Sequence, residues 1–316
     1  MLTLHDVYRA AARIGPQVRR TPVERSEPLS AELGAEVWLK LECWQLTGAF
    51  KLRGALNKLA RLAESGPVRP VVTASAGNHG LGVAYAARLV GTPATVVVPE
   101  TASPAKVVAL QRSGVTLVQV GQRYDDAEEH ALALARDRGL TYVSPYNDPD
   151  VMAGQGTIAL ELLSDLPDLD TLVVPVGGGG LIGGIAVAAK AVHPRLRIVG
   201  VQPEASPAIK RALAVGRIEP VAVRPTLADG LAGNLEPGTI TLEPIQRLVD
   251  DVVLVSEEEI VAAMRALLDH HHLVVEGAGA VGLAALQAGR VAAGRRVALV
   301  LTGRNVATET LRRVLA

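Results

Sequence analysis

Hydrophobic positions along this chain switch between two spacings. Near the start, Val7, Ala10, Ala11 and Ile14 recur at three- and four-residue intervals, which predicts a helix over residues 3–14 capped by Thr3. Pro16 and Pro22 end that element and lead into an extended arm. Val37-Trp38-Leu39-Lys40-Leu41 reads as a strand, followed by a Thr-Gly loop and a helix from Ala49 to Arg61. Beyond residue 70, short apolar runs alternate with helical stretches. Strands are expected at Val71–Thr73, Ala94–Val98, Thr116–Val120 and Thr141–Val143, with helices at about Gly80–Val90, Pro104–Ser113 and Asp125–Asp137. After Asp150 a second series begins with helix Gln155–Leu163, strand Thr171–Val176, helix Leu181–Val192 and strand Arg197–Gln202. Thr226–Pro244 is rich in Gly, Pro and Asn and reads as a loop lining a site. Helix Ser256–Leu268 opens on a capping box, another helix follows Glu276, and Val297–Leu301 is the last strand. Such alternation implies parallel strands with helical crossovers. We therefore expect two α/β domains with a cleft between them: residues 65–148 inserted in a larger unit made of 1–64 and 149–316.

Composition narrows the partners. The 32 basic and 32 acidic residues cancel, which leaves no electrostatic footprint for nucleic acid or an anionic membrane. Cys43 is alone, so no intrachain disulfide forms, and a reducing cytoplasmic setting is expected. The first residues lack the basic-then-apolar pattern of a signal peptide. Leu172–Ala189 is uncharged and nearly long enough to span a bilayer, but Pro175 and six glycines make it strand, loop and helix instead. A small-molecule partner fits best.

Lysine is scarce here, six residues against 26 arginines, so each one invites a question. An amine that must lose its proton and attack a carbonyl cannot be replaced by guanidinium, which stays charged. Lys51 follows the only Phe of the chain, where the Thr47-Gly48 loop turns into a helix, among apolar neighbours that lower an ammonium pKa. An ordinary helix-start lysine in water is the competing reading. Gly177-Gly178-Gly179-Gly180 lies between an apolar strand and a helix, where close backbone approach and unpaired N–H groups favour a phosphate. No Gly-x4-Gly-Lys-Ser/Thr is present, so a triphosphate P-loop is excluded. A nicotinamide dinucleotide site is a rival: Gly178, Gly180 and Gly183 satisfy G-x-G-x-x-G, and Glu204 lies near the end of the next strand. That rival leaves Lys51 unexplained, and also Thr73-Ala74-Ser75-Ala76-Gly77-Asn78-His79-Gly80, a second strand-to-helix turn suited to a small anion such as a carboxylate.

Taken together, these stretches resemble the fold-type II pyridoxal-phosphate enzymes, most closely the serine/threonine dehydratases and serine racemase. The matching set runs from Lys40-Leu41-Glu42 and Thr47–Gly54 through Ala74–His79, Ala153-Gly154-Gln155-Gly156-Thr157 and Pro175–Leu181 to Thr302-Gly303-Arg304-Asn305. The resemblance implies a tryptophan synthase β-like fold of two open twisted α/β domains, the active site lying in the cleft between them. It further implies that Lys51 holds pyridoxal 5'-phosphate as a Schiff base and that Phe50 lies beside its ring. Asn78 would sit on the ring hydroxyl, and Gly177, Gly178, Gly179, Gly180 and Leu181 around the phosphate. Thr302 would face the pyridine nitrogen, where a neutral hydroxyl favours quick elimination. Ser75, Ala76, Gly77, Asn78 and His79 would grip the substrate carboxylate. Glu276 matches a glutamate near the family's site, though a helix-start carboxylate reads almost as well. The implied reaction is loss of water from L-threonine, L-serine or another β-hydroxy amino acid, giving a 2-oxo acid and ammonia, in a homodimer.

Departures from the family pattern refine this. Racemization needs an acid/base group opposite the lysine, and at that position Ala76 has no proton to give. Gln202–Ala208 lacks both acidic residues of the family's divalent-cation stretch, so no metal is expected there. Tyr146 and Ala49 also depart from the commoner residues and bear on the substrate pocket. His270-His271-His272 suggests a metal, but consecutive helical residues point in different directions, and a solvated helix end is expected.

Overall fold

The computed structural model describes residues 1–102 and 104–316. In chain order its strands are β1 (Val23–Arg25), β2 (Glu36–Lys40), β3 (Val71–Ala74), β4 (Ala94–Val98), β5 (Thr116–Gln119), β6 (Thr141–Tyr142), β7 (Thr171–Pro175), β8 (Arg197–Pro203), β9 (Asp251–Val255) and β10 (Arg296–Val300). They form two sheets, ordered β1-β2-β10-β7-β8-β9 and β5-β4-β3-β6. Among the described residues, every pairing of these strands is parallel except that of the short edge strand β1 with β2.

Side chains alternate across a strand, and both faces of the larger sheet are covered by helices. Val173, Val199 and Leu299 enter one core, together with Leu283 and Ile260. Their chain neighbours Val174, Ile198 and Ala298 enter the core on the other face, with Ile182 and Ile185. The smaller sheet is built the same way. Val72 and Val97 pack with Ala127 and Ala131 on one face, and Val71 packs with Leu52, Leu56 and Val83 on the other.

Three helices, Lys51–Ala63, Pro149–Asp165 and Gly180–Val192, meet at unusually short range. A Cβ added at Gly54, Gly154, Gly156 or Gly184 would strike main chain of the facing helix. The Ala153–Thr157 motif therefore serves helix packing, and it seats the Lys51 helix firmly behind the cleft. Gly183 lies on the same helix as Gly184, where an added Cβ would closely meet only the flexible end of the Met152 side chain, at 2.9 Å.

Most elements lie where their spacing predicts. The lysine helix starts at Lys51 and not Ala49, because Ala49 forms a bridge with Gly303 and the Phe50 N–H donates to the Thr302 carbonyl. Helix Pro149–Asp165 starts six residues before the expected Gln155. Asp148 caps it through the N–H groups of Asp150 and Val151, and Pro149 takes the first position. Thr226–Pro244 is mainly loop, with a short turn at Asp229–Leu231 and the start of helix Leu242–Leu248. The helices Glu27–Leu33, Ala208–Val215 and Thr308–Leu315, each of seven or eight residues, and strands β1 and β9 are not among the expected elements. No described helix is long and apolar enough to cross a membrane.

Candidate active site

The site is assembled from loops that leave the carboxyl ends of β2, β3, β6, β7 and β10, where parallel sheets place their ligands. The loop after β2 delivers Lys51 as the first residue of its helix. Its Nζ donates to the Pro145 carbonyl, 2.8 Å away in the loop after β6, and lies 5.3 Å from the centre of the Phe50 ring. Lys51 is half-buried as a residue, while protein surrounds its amine. Burial lowers its pKa to about 8, and the charge of Glu276 opposes that fall. One neutral carbonyl and one ring face are weak partners for an ammonium, so the free amine is within reach near neutral pH.

After β3, Gly77 precedes helix Asn78–Val90, and its N–H donates to Ser75 Oγ at 3.2 Å. The N–H groups of Asn78 and His79 lie in the first turn, where no intrahelical acceptor exists. Ser75, Ala76, Gly77 and Asn78 are all half-buried and so partly open to the cleft. His79 is buried, and its Nε2 lies 3.0 Å from the Val143 carbonyl. A carbonyl only accepts, so Nε2 carries the proton and Nδ1 is left without a partner. Burial, and then the Lys51 charge, push this imidazole down to about 3, so it stays neutral.

After β7 the glycines form a tight turn with Gly179 at φ +89°, a conformation that favours glycine. Thr241 Oγ1 holds the turn by donating to the Gly178 carbonyl at 2.7 Å. A Cβ at Gly178 would lie 2.5 Å from the Tyr146 ring, and one at Gly180 would lie 2.9 Å from the Tyr146 main chain. The Tyr146 hydroxyl accepts the Glu236 N–H at 2.9 Å, which pins the ring behind the turn. Gly180 and Leu181 begin helix Gly180–Val192, so their N–H groups are free of intrahelical partners and carry the positive end of its dipole.

After β10, Thr302 is buried and its carbonyl accepts the Phe50 N–H at 3.0 Å. Asn305 Nδ2 donates both to the Thr47 carbonyl and to Asn78 Oδ1, at 2.9 and 2.7 Å. Asn78 Nδ2 in turn donates to Glu276 Oε1 at 2.7 Å. Glu276 stands at the N-cap of helix Gly277–Gln287, at a helix start as expected, but its side chain makes no cap bond and reaches Asn78 instead. Burial, reinforced by Asp229, raises its carboxyl to about 7, while the Asn78 hydrogen bond and Lys106 oppose the rise.

The fold therefore brings Lys51, Phe50, Asn78, Thr302, the tetraglycine turn and the Ser75–His79 loop to one cleft. Glu204 lies elsewhere, exposed at the end of β8. His270 and His272 are exposed at a helix end, whereas His271 Nε2 meets Ser26 Oγ at 2.7 Å, so that helix end is only partly solvated. The Pro145 carbonyl had no signal in the chain, since a main-chain oxygen carries no residue type; Thr241 and Glu236 lie in the 226–244 loop, which composition marked only as a whole.

A buried lysine amine near a glycine turn with free first-turn N–H groups is the arrangement a phosphate-bearing carbonyl compound would need. A family description, pyridoxal-phosphate dependent enzyme, matches residues 14–303. The chain belongs to this family, and its cofactor is pyridoxal phosphate. An L-threonine ammonia-lyase of Thermotoga maritima is 45% identical over 315 residues, 100% of this chain and 78% of the relative. One from Geobacter sulfurreducens is 46% identical, covering 98% of this chain and 77% of the relative. Among solved structures, maize serine racemase aligns with a TM-score of 0.93 at 36% identity, over 99% of this chain and 97% of that one. A T.th. threonine deaminase aligns with a TM-score of 0.90 at 39% identity, over 96% of this chain and 99% of that one. The fold is that of the fold-type II enzymes.

The residues present fit the cofactor. A Cβ at Gly178, Gly179 or Gly180 would strike Tyr146 or Thr241 behind the turn, so its main chain stays bare; the first helical N–H groups are free of intrahelical partners, and the buried Lys51 amine lies against the loop that carries Tyr146.

Proposed function

We propose that this enzyme is an ammonia-lyase that removes water from L-threonine and L-serine. The observation that carries the reading is Lys51 itself, an amine buried without a counter-ion in contact among the described residues, in a family whose cofactor is an aldehyde. Lys51 would hold pyridoxal phosphate, with Phe50 against its ring and Asn78 donating to its ring oxygen. Thr302 would face the ring nitrogen, and the main chain of Gly177–Leu181 would hold the phosphate. When bound, the cofactor supplies an electron sink for negative charge at the substrate Cα.

The remaining chemistry belongs to the chain. The first-turn N–H groups of Asn78 and His79, with Ser75 beside them, orient the substrate carboxylate. His79 is neutral and adds no charge to that subsite. Lys51 Nζ, once free, takes the Cα proton; the Cβ–O bond breaks, and the departing hydroxide takes a proton from the Lys51 ammonium and leaves as water. The enamine then hydrolyses to a 2-oxo acid and ammonia. The Ala76 methyl offers no proton on the opposite face, which disfavours proton return from that side. Threonine is supported as substrate by the names of relatives above 40% identity.

A cytoplasmic homodimer completes the proposal. Cys43 is the only cysteine of the chain and is buried as a free thiol, so the fold uses no disulfide, as suits a reducing compartment. Leu46 and Leu89 are exposed and share a shallow groove with Val18 and Tyr85, an apolar patch suited to a second copy. The test is a 2-oxo acid assay of the reconstituted enzyme on L-threonine, L-serine and 3-hydroxyaspartate. Turnover of the first two is expected. A cofactor-loaded protein that inverts serine but releases no oxo acid would overturn the reading.

A further inference from the structure

Among the described residues, Glu276 is the one buried carboxylate of the cleft to which the reaction above gives no task. Its surroundings are specific. Asn78 has one amide oxygen and two amide hydrogens to place. The oxygen takes a hydrogen bond from Asn305 Nδ2. That donor is itself held by the Thr47 carbonyl, so Asn305 offers only N–H to Asn78. One Asn78 hydrogen goes to Glu276 Oε1, and the other is left over. Rotating the amide by half a turn would set the Asn78 and Asn305 N–H groups against each other and face the Asn78 oxygen towards a carboxylate. Both neighbours thus select the same orientation. Gly303 reports how tightly the arrangement is built: a Cβ there would strike Glu276 Oε1 and lie 3.1 Å from Asn78 Nδ2. The Glu276 N–H donates to the Gly303 carbonyl at 3.0 Å, so the two loops are also tied through main chain.

We infer that Glu276, together with Asn305, is a positioning residue that presents the spare Asn78 N–H to the cofactor's ring oxygen as a fixed donor. The inference deepens the proposed site and rests on the reading that Asn78 faces that oxygen. Because Glu276 acts as an acceptor, a glutamine carbonyl oxygen can do the same work and an aliphatic side chain cannot. The charges that bear on Glu276 are Lys51 across the cleft, Asp229 in the 226–244 loop, and Lys106, which pairs with Asp229. The carboxyl titrates near neutrality among them.

The experiment is a titration of apo-protein with pyridoxal phosphate, followed by visible absorbance across pH 6–9. It compares the wild type with Glu276→Gln, Glu276→Leu, Asn305→Leu and Asn78→Ala, and melting curves check that each variant is folded. Loss of one oriented hydrogen bond predicts cofactor binding about tenfold weaker in Glu276→Leu and Asn305→Leu. The visible band of both should shift as it does in Asn78→Ala. Glu276→Gln should bind within about threefold of wild type and lose the spectral change near pH 7. Wild-type affinity and spectrum in Glu276→Leu, alongside a defective Asn78→Ala, would overturn the inference while leaving the site intact. An unaffected Asn78→Ala would instead overturn the placement of Asn78 on which it stands.

Discussion

Two cations, two residues apart on one helix, lie in opposite electrostatic worlds. Arg53 is buried and saturated: Nε and Nη2 reach Glu42 at 2.8 Å, Nη1 reaches Glu161 at 2.7 Å, and Thr157 adds a hydroxyl. Lys40, also buried, joins the same network through Glu161 at 2.5 Å. Burial alone would raise Glu161, but Arg53 and Lys40 hold it below the usual carboxylate range. Lys51 faces the other side of the helix and has a neutral carbonyl and an aromatic face. A buried pair with all its hydrogen bonds made is structural, and removing one partner strands the other. A buried amine with no anion against it is destabilising and reactive. The comparison teaches that desolvation alone does not mark a catalytic lysine, because Lys40 is lowered by burial as well. The absence of a contacting counter-ion does.

The comparison can be broken from either side. Removing the reactive partner has the largest effect: Lys51→Ala should lower 2-oxo acid formation by at least about 1000-fold, measured in a coupled assay. Its melting temperature should equal or exceed that of the wild type, because a poorly solvated amine is gone. The reverse holds for Arg53→Met, which strands the buried Glu42 while Glu161 keeps Lys40, and should cost about 3–5 kcal/mol in denaturant unfolding of the apo-protein. Next in size, Gly178→Ala drives a methyl into the Tyr146 ring. Cofactor affinity should fall about tenfold or more by absorbance titration, with near-wild-type secondary structure.

Protonation sharpens the contrast more gently. The folded-state pKa of Lys51 lies below its unfolded value, so the amine is neutral above about pH 8 and charged below it. The rate of cofactor capture by apo-protein should rise about tenfold per pH unit up to that point and then level. For stability the sign follows: the Lys51 contribution is present at high pH and lost as pH falls through the folded value. Glu276 runs the other way, with stability lost as pH rises towards about 7. The smallest effect belongs to Tyr146→Phe. It removes the acceptor of the Glu236 N–H and should cost about 1 kcal/mol, read from a melting curve.

How much of this was legible beforehand follows the same division. Lys51, the glycine turn and the Ser75–His79 loop are sequence-local devices, each a short run of distinctive residues at a strand end, and their order along the chain located the cleft. Period-two and helical spacing located the strands and longer helices. Lys40, Glu42 and Arg53 lie in distinctive stretches, but their joining into one network was not legible, because Glu161 comes from a helix more than 100 residues away and is an ordinary helical glutamate by pattern. Lysine scarcity pointed at Lys40 as much as at Lys51, and only the surrounding motif separated them. Glu276 was ambiguous for a physical reason: a carboxylate at a helix start is stabilising in any protein. Its bond to Asn78 depends on two loops meeting across the cleft.

The most direct test of the central claim is borohydride reduction of the cofactor-loaded protein followed by peptide mass mapping. The account predicts bleaching of the yellow colour and one pyridoxyl adduct, on the peptide containing Lys51. An adduct on the Lys40 peptide, or a protein that binds the cofactor with no lysine modified, would contradict it.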